Sequence, residues 1–509
     1  MKLFNILLKT AYSHFFFLVI FVLAFFLRAQ EFLSNNYLFL IDQGRDMMDV
    51  GNIVFNHKLT LIGPYTSLGG VFQGPLYYYL LAIPTAILNG DPIGTLFTMV
   101  LISLSTIIFI YLSVSKLFGK TQAIFASFLF AISPEAAAAA TYVWNPHPMW
   151  FLVTLYAVFL YLGIYRKPKC QLVLFPTIFL MFHFQTALGV FLLIATLFYI
   201  VIFKRKALNK KYLSYSFLIG LIFLLPQVLF ELRHDFLMTK SVVEIFTGGS
   251  NKGLFVGGES QGYSSLINSH IKEFIQNFKS SVPHTGYFTH LPAVLIVFLI
   301  LRFTYLKKFF SKEESRITNL LLIIVGIVVA LSFIYPFPIR YWFLTGFQSF
   351  YLIIFGIILG VSYRAGKLTK TLSIIFIAAG LIYFVLRIQT IYLFPPNEGG
   401  LAKIKGKVGA VEYIYNDAKD TKFGLLIFTP YVLTDPYDYI ILWRFSPKYG
   451  YTPHKDKDGI VYLLIEPDPQ QPWSYKGWLE TVIIDGKVLE TVELPSGFII
   501  QKREFSGNN

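Results

Sequence analysis

The sequence predicts a polytopic α-helical membrane protein with a small α/β domain at its carboxyl-terminal end. Hydrophobic residues make up 55% of the 509 residues and charged residues only 14%. Because that composition leaves too little polar surface for a soluble protein, we expect most of the chain to be embedded in lipid. From about residue 397 charges become more frequent and apolar runs shorten to the length of strands. We therefore predict two domains, 1–395 in the membrane and 396–509 outside it.

About eleven apolar segments can serve as membrane spans, which need about 20 residues each, or fewer where protein surrounds them. They cover 11–28, 93–115, 121–140, 148–165, 171–184, 186–203, 213–230, 291–306, 317–335, 341–361 and 371–391. The first is not followed by a small-residue cleavage site, so it is predicted to be a retained span rather than a signal peptide. Residues 75–88 are apolar but short and contain Pro84, which favours a helix on the membrane surface.

Lysine and arginine residues concentrate on one side of these spans, at 116–120, 166–169, 204–211, 302–316 and 364–370. The positive-inside rule makes that side cytoplasmic, together with the N-terminus, in a plasma-membrane protein. The external side then carries 29–92, 141–147, 184–185, 231–290, 336–340 and 396–509. The same bias accounts for the net charge of +15, so nucleic acid is not an expected partner. Because Cys170 is the single cysteine, an intramolecular disulfide is excluded.

Local patterns predict the elements of the external segments. Residues 266–278 have apolar positions at helical spacing, and 248–258 are rich in glycine and predicted to be mobile. In the C-terminal domain we predict a helix over 401–418 and strands near 423–429, 460–466, 480–484, 487–494 and 498–503. The aromatic residues of 437–451 are predicted to pack in a core rather than to form a platform for a sugar.

The first external loop contains the most polar early segment of the chain. A helix over 42–56 places Asp42, Arg45, Asp46 and Asp49 at steps of three and four residues, so that they form one polar stripe. Two interpretations of this stripe are open. In the first, Asp42 is the N-cap of the helix and the other residues form a solvated face with local ion pairs. In the second, the stripe holds reactive groups.

The sequence DQGRD directly after the first span, followed by GPLYYYLL, resembles the first external loop of the GT-C glycosyltransferases. The resemblance is to the family 39 type, which includes protein O-mannosyltransferases and lipid A aminoarabinose transferases. In that family an Asp-Glu pair opens the loop, and an arginine often follows three residues after the aspartate. Asp42 and Arg45 match this pattern, whereas Gln43 replaces the glutamate. Gln73 stands where the family has a basic residue, and Asn145 where the aminoarabinose transferases have a second aspartate.

This resemblance implies an integral-membrane hexosyl or pentosyl transferase that takes its sugar from a polyprenyl phosphate. The acceptor hydroxyl would belong to an external lipid, polysaccharide or protein, and membrane lipid would surround the enzyme. An inverting displacement needs a carboxylate that takes the proton of the acceptor, and Asp42 is the predicted base. Arg45 is predicted to hold the leaving phosphate or to orient a carboxylate. Asp46 is predicted to be a second catalytic carboxylate or a neighbour of Arg45.

Polar residues of other external segments are further candidates for binding the substrates: Gln73, Asn145, His147, His183, Gln185, Arg233, His234 and Arg340. Arg233, His234 and Arg340 carry basic side chains and could contact a phosphate. Those at 145–185 could hydrogen-bond a sugar or the acceptor. The competing interpretation for each is a satisfied interfacial residue or an anchor at a helix end.

A transporter or flippase of lipid-linked saccharides is the alternative function. Such a protein would place ionisable groups at mid-membrane depth and show related halves. The charges of this chain lie mostly at the ends of spans and in loops, which favours the transferase. The nine histidines show no metal-binding spacing, so no cofactor is expected. A divalent cation held by Asp42 and Asp46 with the donor phosphate is left open.

Overall fold

A computed structural model describes residues 14–203, 209–247, 262–393, 400–419 and 421–506. The helical part of the described chain comprises α1 Phe15–Ser34, α2 Ile41–Phe55, α3 Leu76–Ile87, α4 Ile93–Phe118, α5 Lys120–Ile132, α6 Pro134–Ala138, α7 Met149–Tyr165, α8 Leu174–Met181, α9 Thr186–Phe203, α10 Lys210–Arg233, α11 Leu237–Thr247, α12 Tyr263–Lys279, α13 Leu291–Phe303, α14 Lys312–Ser332, α15 Gln348–Ala365 and α16 Lys367–Leu393. The helices predicted over 42–56, 75–88 and 266–278 are α2, α3 and α12. The glycine-rich stretch 248–258 lies outside the described residues.

Eight of the described helices are long and apolar enough to cross a membrane: α1, α4, α9, α10, α13 with the turn before it, α14, α15 and α16. The chain is therefore a multi-pass membrane protein, as predicted. The three other predicted spans correspond to shorter apolar helices, namely α5, α7 and Pro168–Met181. Because these are shorter than a bilayer requires of an isolated helix, the count of eleven stays a prediction.

Two predicted spans have different bounds in the structure. The span predicted over 121–140 stops at Ile132, because Pro134 lacks the N–H that would continue the helix. Ser133 instead caps the short α6 by accepting a hydrogen bond from Ala136 N. The span predicted over 341–361 begins only at Gln348, since a turn with Gly346 at φ +84° precedes it. Hydropathy averages over such breaks and therefore misplaces both bounds.

The helix α1 continues beyond residue 28, where the predicted span ended at a charged residue. Arg28 is fully buried and donates to the carbonyls of Phe130 and Ala131 at 2.7 and 3.0 Å. Carbonyls of the last helical turn lack partners within their own helix, so the guanidinium caps the end of α5. Further along α1, Glu31 pairs with Lys403 at 3.0 Å. Both charges have partners, which allows the helix to extend.

The helix α15 lies at the centre of the membrane bundle, and 89% of the residues in its apolar stretch are buried. Gly356 and Gly360, four residues apart, allow it to pack closely against α5 near Ala126 and Gln122. Small residues at this spacing are typical of close helix contacts in membranes, where lipid offers the same apolar surroundings as protein and packing decides association.

Charged side chains connect the helices at one end of the bundle. Glu314, buried at the start of α14, accepts hydrogen bonds from Gln122 Nε2 at 2.6 Å and from Arg364 Nη2 at 2.7 Å. The neighbouring Glu313 pairs with Arg316 at 2.9 Å. These charges lie in or beside the basic loops that the sequence assigns to the cytoplasmic side.

The loops that the sequence assigns to the external side contact one another at the opposite end. Gly74 N donates to Phe182 O at 3.1 Å, and Trp342 Nε1 donates to Ser67 Oγ at 3.3 Å. The two sets of loops therefore separate as the alternation of spans requires. Which side of the membrane each end faces stays a prediction.

The C-terminal part of the described chain forms a four-stranded mixed sheet with helical segments on both faces. Its elements are α17 Ile404–Ala418, β1 Gly424–Phe428, α18 Asp435–Ile440, α19 Ser446–Tyr449, β2 Gly459–Ile465, α20 Ser474–Trp478, β3 Lys487–Glu493 and β4 Ile499–Phe505. The strand order is β1-β2-β4-β3, with β1 parallel to β2 and the other pairs antiparallel. The central strand β2 is buried on both faces and is accordingly a continuous apolar run, GIVYLLI. The predicted helix and four of the five predicted strands are confirmed.

The strand predicted over 480–484 is wrong. Residues Leu479–Ile483 form a π-helical turn that continues α20. The β-branched residues of this stretch favoured a strand, but the apolar residues here recur at helical spacing and cover one face of the sheet: Tyr475, Trp478, Leu479 and Ile483. Burial of that helical face outweighs the local preference for a strand.

The aromatic residues of 437–451 pack in the core of this domain, as predicted. Tyr415 of α17 stacks against Phe445 and Tyr449, with ring centroids 5.2 and 4.6 Å apart. Tyr437 is fully buried and bonds to Glu466, which also pairs with the buried Lys407 at 2.6 Å. These aromatic rings therefore contact other residues of the protein rather than forming an open surface for a sugar.

The C-terminal sheet domain docks directly on α2, the helix that carries the polar stripe. A Cβ atom added to Gly44 would lie 2.3 Å from Pro436 N and 2.7 Å from the carbonyl carbon of Asp435, so the backbones of α2 and α18 touch. A second contact joins Tyr439 Oη to Gly90 O, at 2.6 Å. The position of α2 is therefore set partly from outside the membrane helices.

Gly44→Ala is expected to lower the free energy of unfolding by about 1–3 kcal/mol, because the added methyl group overlaps backbone atoms of α18. Gly51→Ala is the matched control on the same helix, since a Cβ there would lie 3.6 Å from the Tyr439 ring, an ordinary contact. Alanine at that position should stabilise the helix by up to about 1 kcal/mol. Thermal unfolding of both variants in detergent measures the difference, and equal stabilities would contradict the close docking.

Candidate active site

The residue that caps the N-terminus of α2 lies two positions before Asp42. Leu40 is the N-cap residue, and its N–H donates to Gln43 Oε1 at 2.9 Å. The interpretation of Asp42 as the N-cap is therefore wrong. The buried face of the helix consists mainly of Met47, Val50 and Ile53. The side chain of Asp42, in the first turn, is 47% exposed and can reach a substrate.

Arg45 lies between two carboxylates of this helix. Its Nη1 is 3.1 Å from Asp42 Oδ1, and its Nη2 and Nε are 2.8 and 3.1 Å from Asp46 Oδ1. Because the guanidinium is planar and its donors have fixed directions, it holds both carboxylates at defined positions. These are the contacts of a residue that orients carboxylates. A role of Arg45 in binding the donor phosphate stays a prediction.

Asp46 differs from Asp42 in its burial, since only 1% of its side chain is exposed. In addition to the bonds from Arg45, it accepts a hydrogen bond from Tyr78 Oη at 3.3 Å. Burial raises the pKa of Asp46 to about 6; the charge of Arg45 opposes this rise, and the carboxylates of Asp42 and Asp49 add to it. Asp46 is thus an inner carboxylate that anchors Arg45, while Asp42 faces outward.

The guanidinium of Arg45 also occupies the space between Asp42 and Asp46 that a divalent cation would need. A cation held by both carboxylates would have to displace it. Within the described ranges, His, Cys, Asp and Glu side chains form no group of three or more that could hold a metal ion.

Three predicted substrate-binding residues connect the external loops to one another. Gln73 Oε1 accepts hydrogen bonds from Thr186 N at 2.9 Å and from Thr186 Oγ1 at 2.6 Å. Asn145 Nδ2 donates to Phe184 O at 2.7 Å, and Gln185 Nε2 donates to a backbone carbonyl at 2.9 Å. All three side chains are buried. They hold together the loops that surround the outer end of α2.

Two of the three candidate histidines, His147 and His183, are buried and neutral at physiological pH. His183 Nε2 donates to Phe223 O at 2.7 Å, and its Nδ1 accepts from Leu76 N at 3.3 Å. His147 Nδ1 donates to Tyr142 O at 2.9 Å. Burial lowers the pKa of each histidine to about 4, although the bonds to backbone carbonyls oppose that effect. Each ring therefore serves as a fixed hydrogen-bonding group rather than as a charge.

A cavity of about 340 Å³ lies among the external loops. We call it the aromatic cavity because four aromatic rings contribute to its wall, those of Tyr142, Trp144, Trp150 and Tyr341. The rest of the lining consists of two alanines, Ala138 and Ala139, and of polar side chains: Glu135, His147, Glu273, Gln276, Asn277, Ser280, Thr345 and Gln348. Its volume falls in the range of roughly 300–1,000 Å³ that is usual for small-molecule sites.

The aromatic cavity adjoins the first turn of α2. Gln43, next to Asp42, donates from Nε2 to Val143 O at 2.7 Å, between two residues of the cavity wall. Burial raises the pKa of both Tyr142 and Tyr341, and the charge of Asp42 adds to the rise in each case. The hydrogen bond from Gln43 places the first turn of α2 against the wall, and the charge of Asp42 acts on two of the rings in that wall.

The remaining predicted residues lie at the same end of the molecule. Arg233, the last residue of α10, and His234, which follows it, are both exposed. The His234 ring stacks on Phe230 with centroids 4.1 Å apart. Phe230 in turn contacts Phe72 of the first loop, with centroids 5.7 Å apart. Arg340 directly precedes the cavity wall at residue 341. The described contacts do not assign these three residues a role toward phosphate, so that role stays a prediction.

Comparison with known proteins is informative at the level of the fold. Residues 73–230 match the family model described as dolichyl-phosphate-mannose-protein mannosyltransferase. The whole chain is similar to the crystal structure of ArnT from Cupriavidus metallidurans bound to undecaprenyl phosphate, with a TM-score of 0.60 and 10% identity over 97% of this chain and 98% of that one. The chain has the GT-C fold.

A second GT-C structure agrees with this assignment. The oligosaccharyltransferase AglB from Archaeoglobus fulgidus, in complex with an inhibitory peptide and a dolichol-phosphate, gives a TM-score of 0.50 at 13% identity, over 96% of this chain and 74% of that one. No curated protein matches the sequence. The predicted GT-C fold is confirmed, since both structures share the fold of this chain; the match of the first-loop residues to the GT-C pattern stays a prediction.

The structure explains two departures from the GT-C family pattern. Gln43 and Asn145, which stand where the resemblance led us to expect Glu and Asp, each donate a hydrogen bond from the side-chain amide to a backbone carbonyl, at 2.7 Å. An ionised carboxylate has no proton to donate and would repel a carbonyl oxygen. The loops of this chain therefore fit amides at both positions. Asp42 is the outward-facing acid of the first helical turn.

Sequence reasoning missed the two carboxylates of the aromatic cavity, Glu135 and Glu273. Glu135 follows the Ser-Pro break after α5, and Glu273 lies in the amphipathic helix α12. They are 138 positions apart in the sequence (273 − 135) and meet only in the folded chain. The one local signal was the Ser133-Pro134 pair, which marks a helix start and so ends the span before residue 135.

Asp46→Asn is expected to change how the stability of the protein depends on pH. Because the pKa of Asp46 is raised to about 6 in the folded protein, its protonated form stabilises the fold at low pH, and this contribution is lost as the pH rises through about 6. The Asn variant lacks the effect. As the pH is raised from about 5 to about 7, the melting temperature of the wild type in detergent should therefore fall relative to that of the variant. Parallel curves would contradict the burial of an ionisable Asp46.

Proposed function

We propose that this protein is an integral-membrane glycosyltransferase that moves a hexosyl or pentosyl unit from a polyprenyl phosphate to a hydroxyl of an external acceptor. The observation that carries the proposal is the half-exposed carboxylate of Asp42, held by Arg45 beside the aromatic cavity of a GT-C fold. The ArnT structure contains undecaprenyl phosphate and the AglB structure a dolichol-phosphate, which supports a polyprenyl-phosphate donor for this chain as well.

The chemistry needs one base. The bond between the anomeric carbon of the donor and its phosphate oxygen breaks, and a bond from that carbon to the acceptor oxygen forms. The proton of the acceptor hydroxyl passes to Asp42, and the polyprenyl phosphate leaves. Attack from the side opposite the phosphate inverts the configuration of the anomeric carbon. Asp42 suits this role because its carboxylate is accessible and is oriented by Arg45 within the same helical turn.

Asp46 supports the base from behind. Its buried carboxylate fixes Nη2 and Nε of Arg45, so that the remaining terminal nitrogen points to Asp42. Asp46 is on this account a positioning residue, and the second catalytic carboxylate is not needed for a single displacement. Arg233 and Arg340, at the same end of the molecule, are the cations that we propose meet the donor phosphate.

We place the reaction on the outer face of the plasma membrane, with the N-terminus in the cytoplasm and the C-terminal domain outside. The distribution of lysine and arginine among the loops supports this orientation. The separation of the loops into two ends, with the aromatic cavity at the end with fewer basic residues, is consistent with it. The acceptor then belongs to an external lipid, polysaccharide or protein.

Asp42→Asn is expected to lower the rate of transfer by about 10²- to 10⁴-fold, the usual contribution of a general base. Asp49→Asn, on the same helix two turns further along and exposed, is the matched control and should retain activity. Transfer is measured as formation of a new glycosidic bond from a radiolabelled polyprenyl-phosphate sugar in proteoliposomes. Undiminished transfer by Asp42→Asn would exclude Asp42 as the base. Movement of the labelled lipid across the bilayer without a new bond would instead indicate a flippase.

Arg45→Lys is expected to lower kcat by about 10²-fold while leaving the melting temperature nearly unchanged. A lysine keeps the positive charge near Asp46 but cannot bridge two carboxylates in one plane, so Asp42 loses its orientation. Initial rates at saturating donor and acceptor give kcat, and thermal unfolding in detergent reports the fold. Wild-type kcat in this variant would show that charge alone, rather than the bridging geometry, is what the site requires.

A further inference from the structure

We propose that the aromatic cavity binds the acceptor and that this acceptor is a saccharide, presented to Asp42 through one of its hydroxyl groups. The inference rests on the glycosyl transfer proposed above and narrows the choice among lipid, polysaccharide and protein acceptors. Three properties of the cavity wall support this inference: its aromatic rings, its charges, and two oxygen atoms that accept no hydrogen bond within the described protein.

The rings form a continuous surface beside Asp42. The centroid of Trp144 is 6.2 Å from that of Tyr341, and the centroid of Tyr142 is 6.1 Å from that of Trp144. Tyr341 is 61% exposed, although the loops around it are packed. One face of a sugar ring consists of C–H groups, which pack favourably on the electron-rich face of an aromatic ring. A wall of large, accessible rings is therefore suited to a ring-shaped ligand with an apolar face.

The charges of the wall disfavour the phosphate of the donor. Glu135 and Glu273 both line the cavity, and none of the described residues that line it is a lysine or an arginine. The charges of Lys272 and Arg340 act on Glu273 from outside the lining. The two carboxylates within the lining disfavour a phosphate and accept hydrogen bonds readily from neutral hydroxyl groups. A neutral polyhydroxyl group matches this wall, and the activated phosphate end of the donor does not.

The wall also contains buried hydrogen-bond acceptors that a hydroxyl-rich ligand can satisfy. In the described part of the chain, Gln348 Oε1 and Asn277 Oδ1 have no hydrogen-bond donor. Gln348 is 4% exposed and Asn277 7%. A buried polar atom without a partner is costly, and the terminal torsion of a glutamine is soft enough to turn its oxygen toward a ligand. Sugar hydroxyls donate as well as accept, so they complement both carboxylates and amides.

The position of the cavity beside α2 favours the acceptor, rather than the sugar of the donor, as its ligand. The wall adjoins the helix that carries the predicted base, because Gln43, next to Asp42, donates to Val143 O at 2.7 Å, between Tyr142 and Trp144 of the wall. A saccharide seated on the rings can place one hydroxyl at Asp42, where its proton is removed as the oxygen attacks. The bond changes are those already given, with the saccharide oxygen as the nucleophile.

Binding of simple sugars to the full-length protein in nanodiscs tests the inference independently of catalysis. The probes are methyl hexopyranosides and the disaccharides maltose and cellobiose, observed by saturation-transfer NMR, with an acetylated serine tripeptide amide as the peptide probe. We expect at least one sugar to bind through its ring C–H groups. Glu273→Gln and Gln276→Ala should each weaken that binding by about tenfold. Asn268→Ala, an amide-to-methyl change at an exposed position of the same helix, is the control.

Kinetics distinguishes the acceptor from the donor. In a transfer assay with the bound sugar as acceptor, Glu273→Gln should raise the KM for the sugar and leave the KM for the polyprenyl-phosphate donor unchanged. A raised donor KM with an unchanged acceptor KM would overturn the assignment. So would binding of the peptide without any sugar, together with transfer to the peptide that depends on Asp42; the proposed function would then stand without this inference. Sugar binding without transfer to any acceptor would instead refute the proposed function while the cavity remains a saccharide site.

Discussion

The guanidinium of Arg45 lies between Asp46, which is 1% exposed, and Asp42, which is 47% exposed, and it bonds to both. The unequal burial gives the two carboxylates different roles although they are four residues apart on one helix. Burial makes the Asp46 bonds hard to exchange with water, so the guanidinium is fixed on that side. The orientation of Asp42 is fixed in consequence, because a planar group held by two of its nitrogens has a third in a set direction.

The rest of the structure keeps this helix in place. From the membrane side, the loops around α2 are joined by buried amides such as Gln73 and Asn145. From the other side, the C-terminal domain touches the backbone of α2 at Gly44, within the same turn as Arg45 and Asp46. The domain therefore helps to position the candidate site without lining the cavity, which gives a physical reason for its attachment to the membrane helices. Positioning residues thus surround the accessible carboxylate.

Much of the fold followed from the sequence, because hydropathy and basic loops reflect constraints that lipid imposes on every span. The helix over 42–56, a break at 184–185 between two spans and most of the C-terminal sheet were predicted for such local reasons. The segment 480–484 was mispredicted because its environment, the open face of the sheet, outweighed its β-branched composition. The candidate site was predictable only in its first helix. The sequence did not predict that Gln73, Asn145 and His183 join loops to one another. It also did not predict that Glu135 and Glu273 line one cavity. Both features depend on contacts between distant parts of the chain, which spacing in a single sequence does not encode.

The most direct test is a cryo-electron microscopy structure of the Asp42→Asn variant in nanodiscs with undecaprenyl phosphate and the saccharide that binds most tightly. The account predicts the sugar ring against Trp144 and Tyr341, with one hydroxyl within about 2.6–3.2 Å of the side chain at position 42. It also predicts the phosphate at the same end of the helices, opposite that hydroxyl across the space for the transferred sugar. A phosphate at the far end, near Glu314, or a saccharide bound away from position 42 would contradict Asp42 as the base.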